Sequence, residues 1–530
     1  MKKQNFLKAS LILMLSAGIS KGLGALFKIP LTNLLGGVGM SYFSCAYSLF
    51  MPVYSLTVTG LSSAVARMTA QSVALGMYAN AKKVRSTALI IFSIVGLAGS
   101  ILTFLLSKIF SGSMESSLSV AMIAPSVFFG CIMSVERGYY EGMSNMYPTA
   151  VSQVIEGIVK VVAGLYICGY VTQNIDSIIV YFPDIDPRAI SASAGILGVT
   201  LSSVGAVIFF AILRLFAKKL PVNDECTVIS RNEIARELIS NAVPTGISAV
   251  VTNFTALIDM WTIIGCIKYF GSRINSPSGI AESDIPHFIY GSFAGIALTV
   301  FNLVPSVTNM LGKGVLPCIT EAWENHHIKS LSENTMQALI TSAVIAVPSA
   351  FGMAVLAPEI LNFLFPKQPE EVSICINSLR LLMLGMVCLC VSFPVFSMLQ
   401  AIGKASLPLK IMLLGTVIKF AGNMFLIPVI GVNGASVSTS ICYAVILIVS
   451  VKLYIKYSGI SLKIMPFLVI IYAGGMCAGS AYLACEFARR CGFENFAVLG
   501  ISVATGGIVY LLVLVVCGSC LKRFRKPVFQ

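Results

Sequence analysis

Apolar residues recur along this chain in runs of about 20 or more, the length that crosses a bilayer core as an α-helix. Short segments carrying lysine, arginine, proline and glycine separate them. The pattern predicts fourteen spans, at 6–30, 41–73, 86–110, 119–142, 148–170, 189–216, 236–268, 287–320, 334–364, 372–402, 407–429, 434–456, 465–487 and 496–520. These use most of the 530 residues and leave no loop long enough for a separate soluble catalytic domain. The beginning looks like a secretory signal, with Lys2, Lys3 and Lys8 ahead of an apolar run ending at Ser16-Ala17-Gly18. Apolar character continues past Lys21 to Leu35, so an uncleaved first transmembrane helix is expected.

Composition narrows the class. The chain is 57% hydrophobic and 11% charged, with mean hydropathy +0.89, against about 25% charge in soluble domains. A water-soluble enzyme and a disordered chain are both excluded; the expected fold is an all-α polytopic membrane protein. Charge also sorts by side. Twenty-one lysines and arginines fall in segments on the side of the N-terminus and six on the other. This positive-inside bias puts both termini in the cytoplasm, with the chain in the cell membrane.

Nine of the 36 basic residues remain within predicted spans: Lys21, Lys28, Arg67, Arg137, Lys160, Lys268, Lys313, Arg380 and Lys419. Acidic residues in spans are fewer, namely Glu136, Glu141, Glu156 and Asp259, with Glu321 at a margin. A base at mid-membrane costs at least about 2.5–3.5 kcal/mol on insertion scales. Arg67 and Lys268 lie near span ends, where snorkelling to headgroups is an equally good account. Lys21, Lys160 and Lys419 lie too deep for that and should face water or protein.

An internal repeat organises these residues. Ile158-Val159-Lys160-Val161-Val162-Ala163-Gly164 matches Val417-Ile418-Lys419-Phe420-Ala421-Gly422. Gly18-Ile19-Ser20 recurs as Gly246-Ile247-Ser248, and Gly195 and Thr200 recur as Gly434 and Thr439. Two six-helix halves of like orientation are expected, 1–216 and 236–457. A basic cytoplasmic linker at 217–235 joins them, and two further helices and a basic tail follow at 458–530. Repeats of this kind place a substrate site near the bilayer midplane.

No catalytic constellation is present. There is no G-x-x-x-x-G-K-[ST] loop for nucleotide phosphates; Gly312-Lys313-Gly314 is only a fragment of a glycine-rich pattern. Most of the fifteen cysteines lie inside apolar runs, and Cys517 and Cys520 form a lone C-x-x-C. A zinc site would need two more ligands. His326 and His327 beside Glu321 and Glu324 read as a solvated turn, and Asp184 and Asp186 as solvated loop carboxylates. No metal, cofactor or nucleic-acid partner is expected.

Two stretches carry a family resemblance. Phe27-Lys28-Ile29-Pro30-Leu31, leading to Leu35-Gly36 and Gly39, precedes Gly60-Leu61-Ser62-Ser63-Ala64-Val65-Ala66-Arg67. Arg137-Gly138-Tyr139-Tyr140-Glu141-Gly142 precedes Asn145-Met146 and Pro148-Thr149-Ala150-Val151-Ser152-Gln153. Together they resemble the stage V sporulation protein B family, a polysaccharide-transporter branch of the multidrug/oligosaccharidyl-lipid/polysaccharide exporter superfamily. Ser62 stands where that pattern has proline, and Glu141 where it has glutamine. The resemblance implies a V-shaped pair of lobes and alternating access. It also implies a lipid-linked cell-wall or polysaccharide precursor as cargo, with a role in spore cortex or envelope synthesis. Lys21 sits where related flippases carry a basic cavity residue.

Such a cargo would carry an undecaprenyl-pyrophosphate group, whose negative charges need basic partners. The expected contacts are Lys21, Lys28, Arg67, Lys160, Lys313 and Lys419. Expected partners are the anionic lipid-linked glycan, membrane lipids and cell-wall synthesis enzymes. An inside-negative potential favours outward movement of an anion by ~2.3 kcal/mol per charge per 100 mV. The competing reading is a cation-coupled multidrug exporter, with Glu156 and Asp259 as ion-coupling carboxylates. Glu156 lies four residues before Lys160 and is expected to pair with it. Lys21 and Lys28 could likewise pair with Glu136, Glu141 or Asp259.

Overall fold

A computed structural model describes residues 6–110, 114–216, 229–271, 280–404 and 406–523. The expected linker at 217–235 lies largely outside the described residues, and so does the side chain of Lys313. Lipid offers no partner to a backbone N–H or C=O, so an apolar run that enters it must pair them internally as helix. The described residues accordingly form nineteen α-helices and no strand.

By internal contacts the chain divides into two compact units, Met1–Gly265 with Ala281–Gly295, and Cys266–Ile280 with Ile296–Gln530. These bounds differ from the expected halves. The first unit holds α1 (Phe6–Tyr54), α2 (Gly60–Ala74), α3 (Tyr78–Phe110), α4 (Met114–Ile123) and α5 (Pro125–Gly142). It continues with α6 (Tyr147–Gln173), α7 (Ile175–Ile179), α8 (Pro187–Phe216), most of α9 (Arg231–Phe270) and α10 (Ile285–Ser292). The second unit holds α11 (Leu298–Phe301), α12 (Leu303–Glu324), α13 (Ile328–Val355), α14 (Ala357–Leu364) and α15 (Pro369–Ala401). It ends with α16 (Ser406–Ile430), α17 (Val432–Ser458), α18 (Met465–Arg490) and α19 (Asn495–Arg523). Pro125, Pro148, Pro369 and Pro466 stand in the first turns of their helices, where a missing N–H costs nothing.

Among the described residues twelve stretches are long and apolar enough to cross a membrane, and the chain is a multi-pass membrane protein. One of the twelve runs from Leu15 to Val73. At 1.5 Å per residue it is roughly 90 Å long, enough for two crossings. The count of fourteen is therefore approximate. The break expected between 30 and 41 is helical on both sides of a single residue, Gly36, at φ 66° and ψ −177°. Only glycine tolerates that backbone cheaply. The span expected at 287–320 is likewise divided, with a π turn at Phe293–Ala297 between α10 and α11.

In the first unit α6 packs on α8 and on α1, while α5 packs on α2 and α3. The segment of α1 beyond Gly36 crosses α10 closely: a Cβ on Gly291 would collide with the Gly37 carbonyl. In the second unit α17 packs on α15 and α16, and α18 pairs with α19 and leans on α13.

Candidate functional site

The first segment of α1 carries Lys21 and Lys28 seven residues apart. Seven steps of 100° return them to nearly one face, about 10 Å apart along the axis. Lys21 is exposed. Lys28 is half-buried, and its Nζ donates to the Ala294 carbonyl at 2.9 Å, inside the π turn. Thr32 Oγ1, one turn on, donates to the Lys28 carbonyl at 2.8 Å and lies 3.4 Å from the Gly295 carbonyl.

A polar stripe runs along α6 where it faces α1 and α5. Gln153 Oε1 accepts from Ser16 Oγ at 3.0 Å. Ser152 Oγ accepts from Arg137 Nε at 2.9 Å, and Glu156 Oε2 accepts from Arg137 Nη2 at 3.0 Å. Lys160 Nζ donates to the Tyr47 hydroxyl at 3.4 Å. This corrects the expected i,i+4 pair. The carboxylate of Glu156 turns to Arg137, a planar two-donor partner on α5, while Lys160 reaches α1. Glu136 is likewise engaged, by Arg85 at 2.6 Å, whose guanidinium also lies 4.8 Å from the centre of the Tyr139 ring.

The remaining expected residues are spread over other helices. Arg67 is exposed on α2, and Asp259 on α9 is buried to 2% exposure. Lys419, on α16 in the second unit, is buried to 3% exposure. Lys313 belongs to α12, and its side chain lies outside the described residues.

The two repeat lysines differ in burial, Lys160 being half-buried and Lys419 3% exposed, but a glycine at a close helix contact follows each. The Lys419 carbonyl accepts from Ser438 Oγ of α17 at 2.9 Å, and a Cβ on Gly422 would lie 2.5 Å from that hydroxyl oxygen. In the first unit a Cβ on Gly198 of α8 would lie 3.4 Å from the Lys160 carbonyl and collide with Gly164. Both lysines thus precede a glycine that lets the next helix approach.

Two features escaped the sequence. His287, buried on α10, lies with Nδ1 3.0 Å from Ser41 Oγ and its ring 5.5 Å from that of Tyr42. Its signal was a single histidine inside an apolar run. Arg188 bridges Asp186 at 2.8 Å and Asp284 at 2.5 Å, and its backbone N–H donates to Asp186 Oδ1 at 2.7 Å. Asp186 is therefore an α8 capping residue rather than a solvated loop carboxylate. His326 and His327 do lie in an exposed turn.

A family model described as polysaccharide biosynthesis protein matches residues 6–323. The chain belongs to the polysaccharide biosynthesis protein family. A second model, MatE, matches residues 292–425 of this family member. Stage V sporulation protein B of Bacillus subtilis (strain 168) is 23% identical over 494 residues, covering 89% of each chain. Lipid II flippase MurJ of the same organism is 22% identical over 489 residues, 87% of this chain and 84% of that one. In fold, this member resembles a solved lipid II flippase MurJ in an inward closed conformation. The TM-score is 0.65 at 16% identity, over 96% of this chain and 99% of that one. It also resembles an inward-facing multidrug resistance MATE family transporter of the MOP superfamily. There the TM-score is 0.63 at 15% identity, over 85% of this chain and 98% of the other.

Proposed function

We propose that this chain is a flippase of the MOP superfamily that moves an undecaprenyl-pyrophosphate-linked cell-wall or polysaccharide precursor outward. It acts by alternating access, without catalysing a reaction, in spore cortex or envelope synthesis. The observation that carries the reading is the placement of Lys21 and Lys28 on one face of α1, inside an apolar span. A cationic drug would be repelled there, whereas a pyrophosphate gains charge-assisted hydrogen bonds. Lipid II flippase MurJ, similar over most of the chain, supports the cargo class, and stage V sporulation protein B supports the role in spore formation.

Within this reading Arg67, Lys160, Lys313 and Lys419 extend the basic path. The halves 1–216 and 236–457 exchange access, joined by the cytoplasmic linker 217–235. Residues 458–530 add two helices and a basic tail. Both termini are cytoplasmic, and cell-wall synthesis enzymes consume the delivered precursor.

The second reading, a cation-coupled multidrug exporter, draws on the MatE match and on the buried carboxylate of Asp259. Glu156 serves it poorly, because Arg137 already compensates its charge. Purified chain in vesicles separates the two: a labelled lipid-linked precursor changes leaflet under the first reading, and cationic dye is extruded under the second.

A further inference from the structure

The π turn Phe293–Ala297 is built against α1. A π turn carries one residue more than an α turn, which loosens its carbonyls from the regular ladder and opens them to outside donors. Here the outside donor is an ammonium: Lys28 Nζ sits 2.9 Å from the Ala294 carbonyl. Thr32 Oγ1 stands 3.4 Å from the next carbonyl, that of Gly295. The fit is close on the other side too, since a Cβ on Gly295 would come 2.5 Å from Met40 Cγ and 3.2 Å from Thr32 Cγ2. Further along the same seam, Ser41 meets His287 and Ser48 Oγ lies 3.1 Å from the Tyr290 hydroxyl. Lys28 supplies the one cationic contact among these named pairs. A neutral carbonyl is a weaker acceptor for an ammonium than a phosphate oxygen.

We propose that Lys28 is a positioning residue that latches the π turn, and that an anionic pyrophosphate headgroup releases the latch. The inference rests on the reading of the chain as a carrier of pyrophosphate-linked cargo. With no anion present, the ammonium holds the Ala294 carbonyl. An anion arriving at exposed Lys21 meets Lys28 next along the same face. The ammonium then turns from the carbonyl to a phosphate oxygen, and the freed π turn relaxes. Lys28 thereby reports headgroup arrival to α10 through one exchanged hydrogen bond.

Amide hydrogen exchange over residues 293–301 of the full chain in lipid nanodiscs tests this directly. The probe is inorganic pyrophosphate, against chloride at matched ionic strength. The wild-type chain should exchange about tenfold faster in this segment with saturating pyrophosphate, the factor expected for losing one charge-assisted hydrogen bond. Lys28→Met should exchange fast without pyrophosphate and respond no further. Wild-type exchange indifferent to pyrophosphate would overturn the latch, and that arm decides even if Lys28→Met fails to insert. Slow exchange in a well-inserted Lys28→Met would overturn it equally. A pyrophosphate response in a chain that moves no lipid precursor supports the latch and removes the cargo reading. Precursor movement without any response does the reverse.

Discussion

Arg137 holds the carboxylate of Glu156 at 3.0 Å, reaching from α5 to α6, and spends its Nε on Ser152 at 2.9 Å. Both partners are mostly buried, with side chains 14% and 22% exposed. Removing one leaves the other charged in a poor solvent. Glu156→Gln should therefore destabilise the chain by about 2 kcal/mol, read as a fall in Tm in detergent. The double variant Arg137→Met, Glu156→Met should recover part of that loss. Lys160→Met, which gives up a long 3.4 Å contact to Tyr47, should cost less than Glu156→Gln.

The two lysines of α1 should separate binding from stability. Lys21 is exposed, so Lys21→Glu should reduce precursor transport and lower Tm by less than Lys28→Ala does. Lys28 also holds a backbone carbonyl, so Lys28→Ala should lower both. Lys→Arg at Lys21 should retain transport, because a diffuse anion accepts either cation. Normal transport by the double variant Lys21→Glu, Lys28→Glu would exclude this face as the pyrophosphate contact.

The crossing of α1 depends on two glycines for different reasons. Gly36→Ala forces a side chain into a backbone region suited to glycine and should cost about 1–3 kcal/mol. Gly291→Ala drives a methyl into the Gly37 carbonyl and should separate α1 from α10. Both should lower Tm of the purified chain, with Gly291→Ala also speeding amide exchange in α10. An unchanged Tm in either variant would contradict the close crossing.

Topology has its own test. Reporter fusions after residues 80, 225 and 525 should read cytoplasmic, and those after 180 and 280 external. An external signal at 225 would break the equivalence of the two halves.

The sequence made the spans legible because lipid imposes one solution on a long apolar run. It placed a break between 30 and 41 but could not narrow it to Gly36, since Leu34, Leu35, Gly37 and Val38 continue the apolar pattern through it. The pairing of Glu156 was misread for a related reason. An i,i+4 rule sees Lys160 on the same helix, but the stronger partner, Arg137, stands on another helix nineteen residues away. The π turn at Phe293–Ala297 inserts one residue without any compositional mark, so the acceptor for Lys28 was invisible. Gly164 and Gly422, which follow Lys160 and Lys419, were legible as glycines, and each sits at a close helix contact.

The central claim is tested most directly in proteoliposomes holding the purified chain and a fluorescent undecaprenyl-pyrophosphate-linked precursor. The measured quantity is the fraction of headgroup accessible to a membrane-impermeant quencher over time. Under an inside-negative potential that fraction should rise faster than in empty vesicles, and the Lys21→Glu, Lys28→Glu variant should remove the gain. Accessibility that stays at the empty-vesicle rate with the wild-type chain inserted would contradict the account.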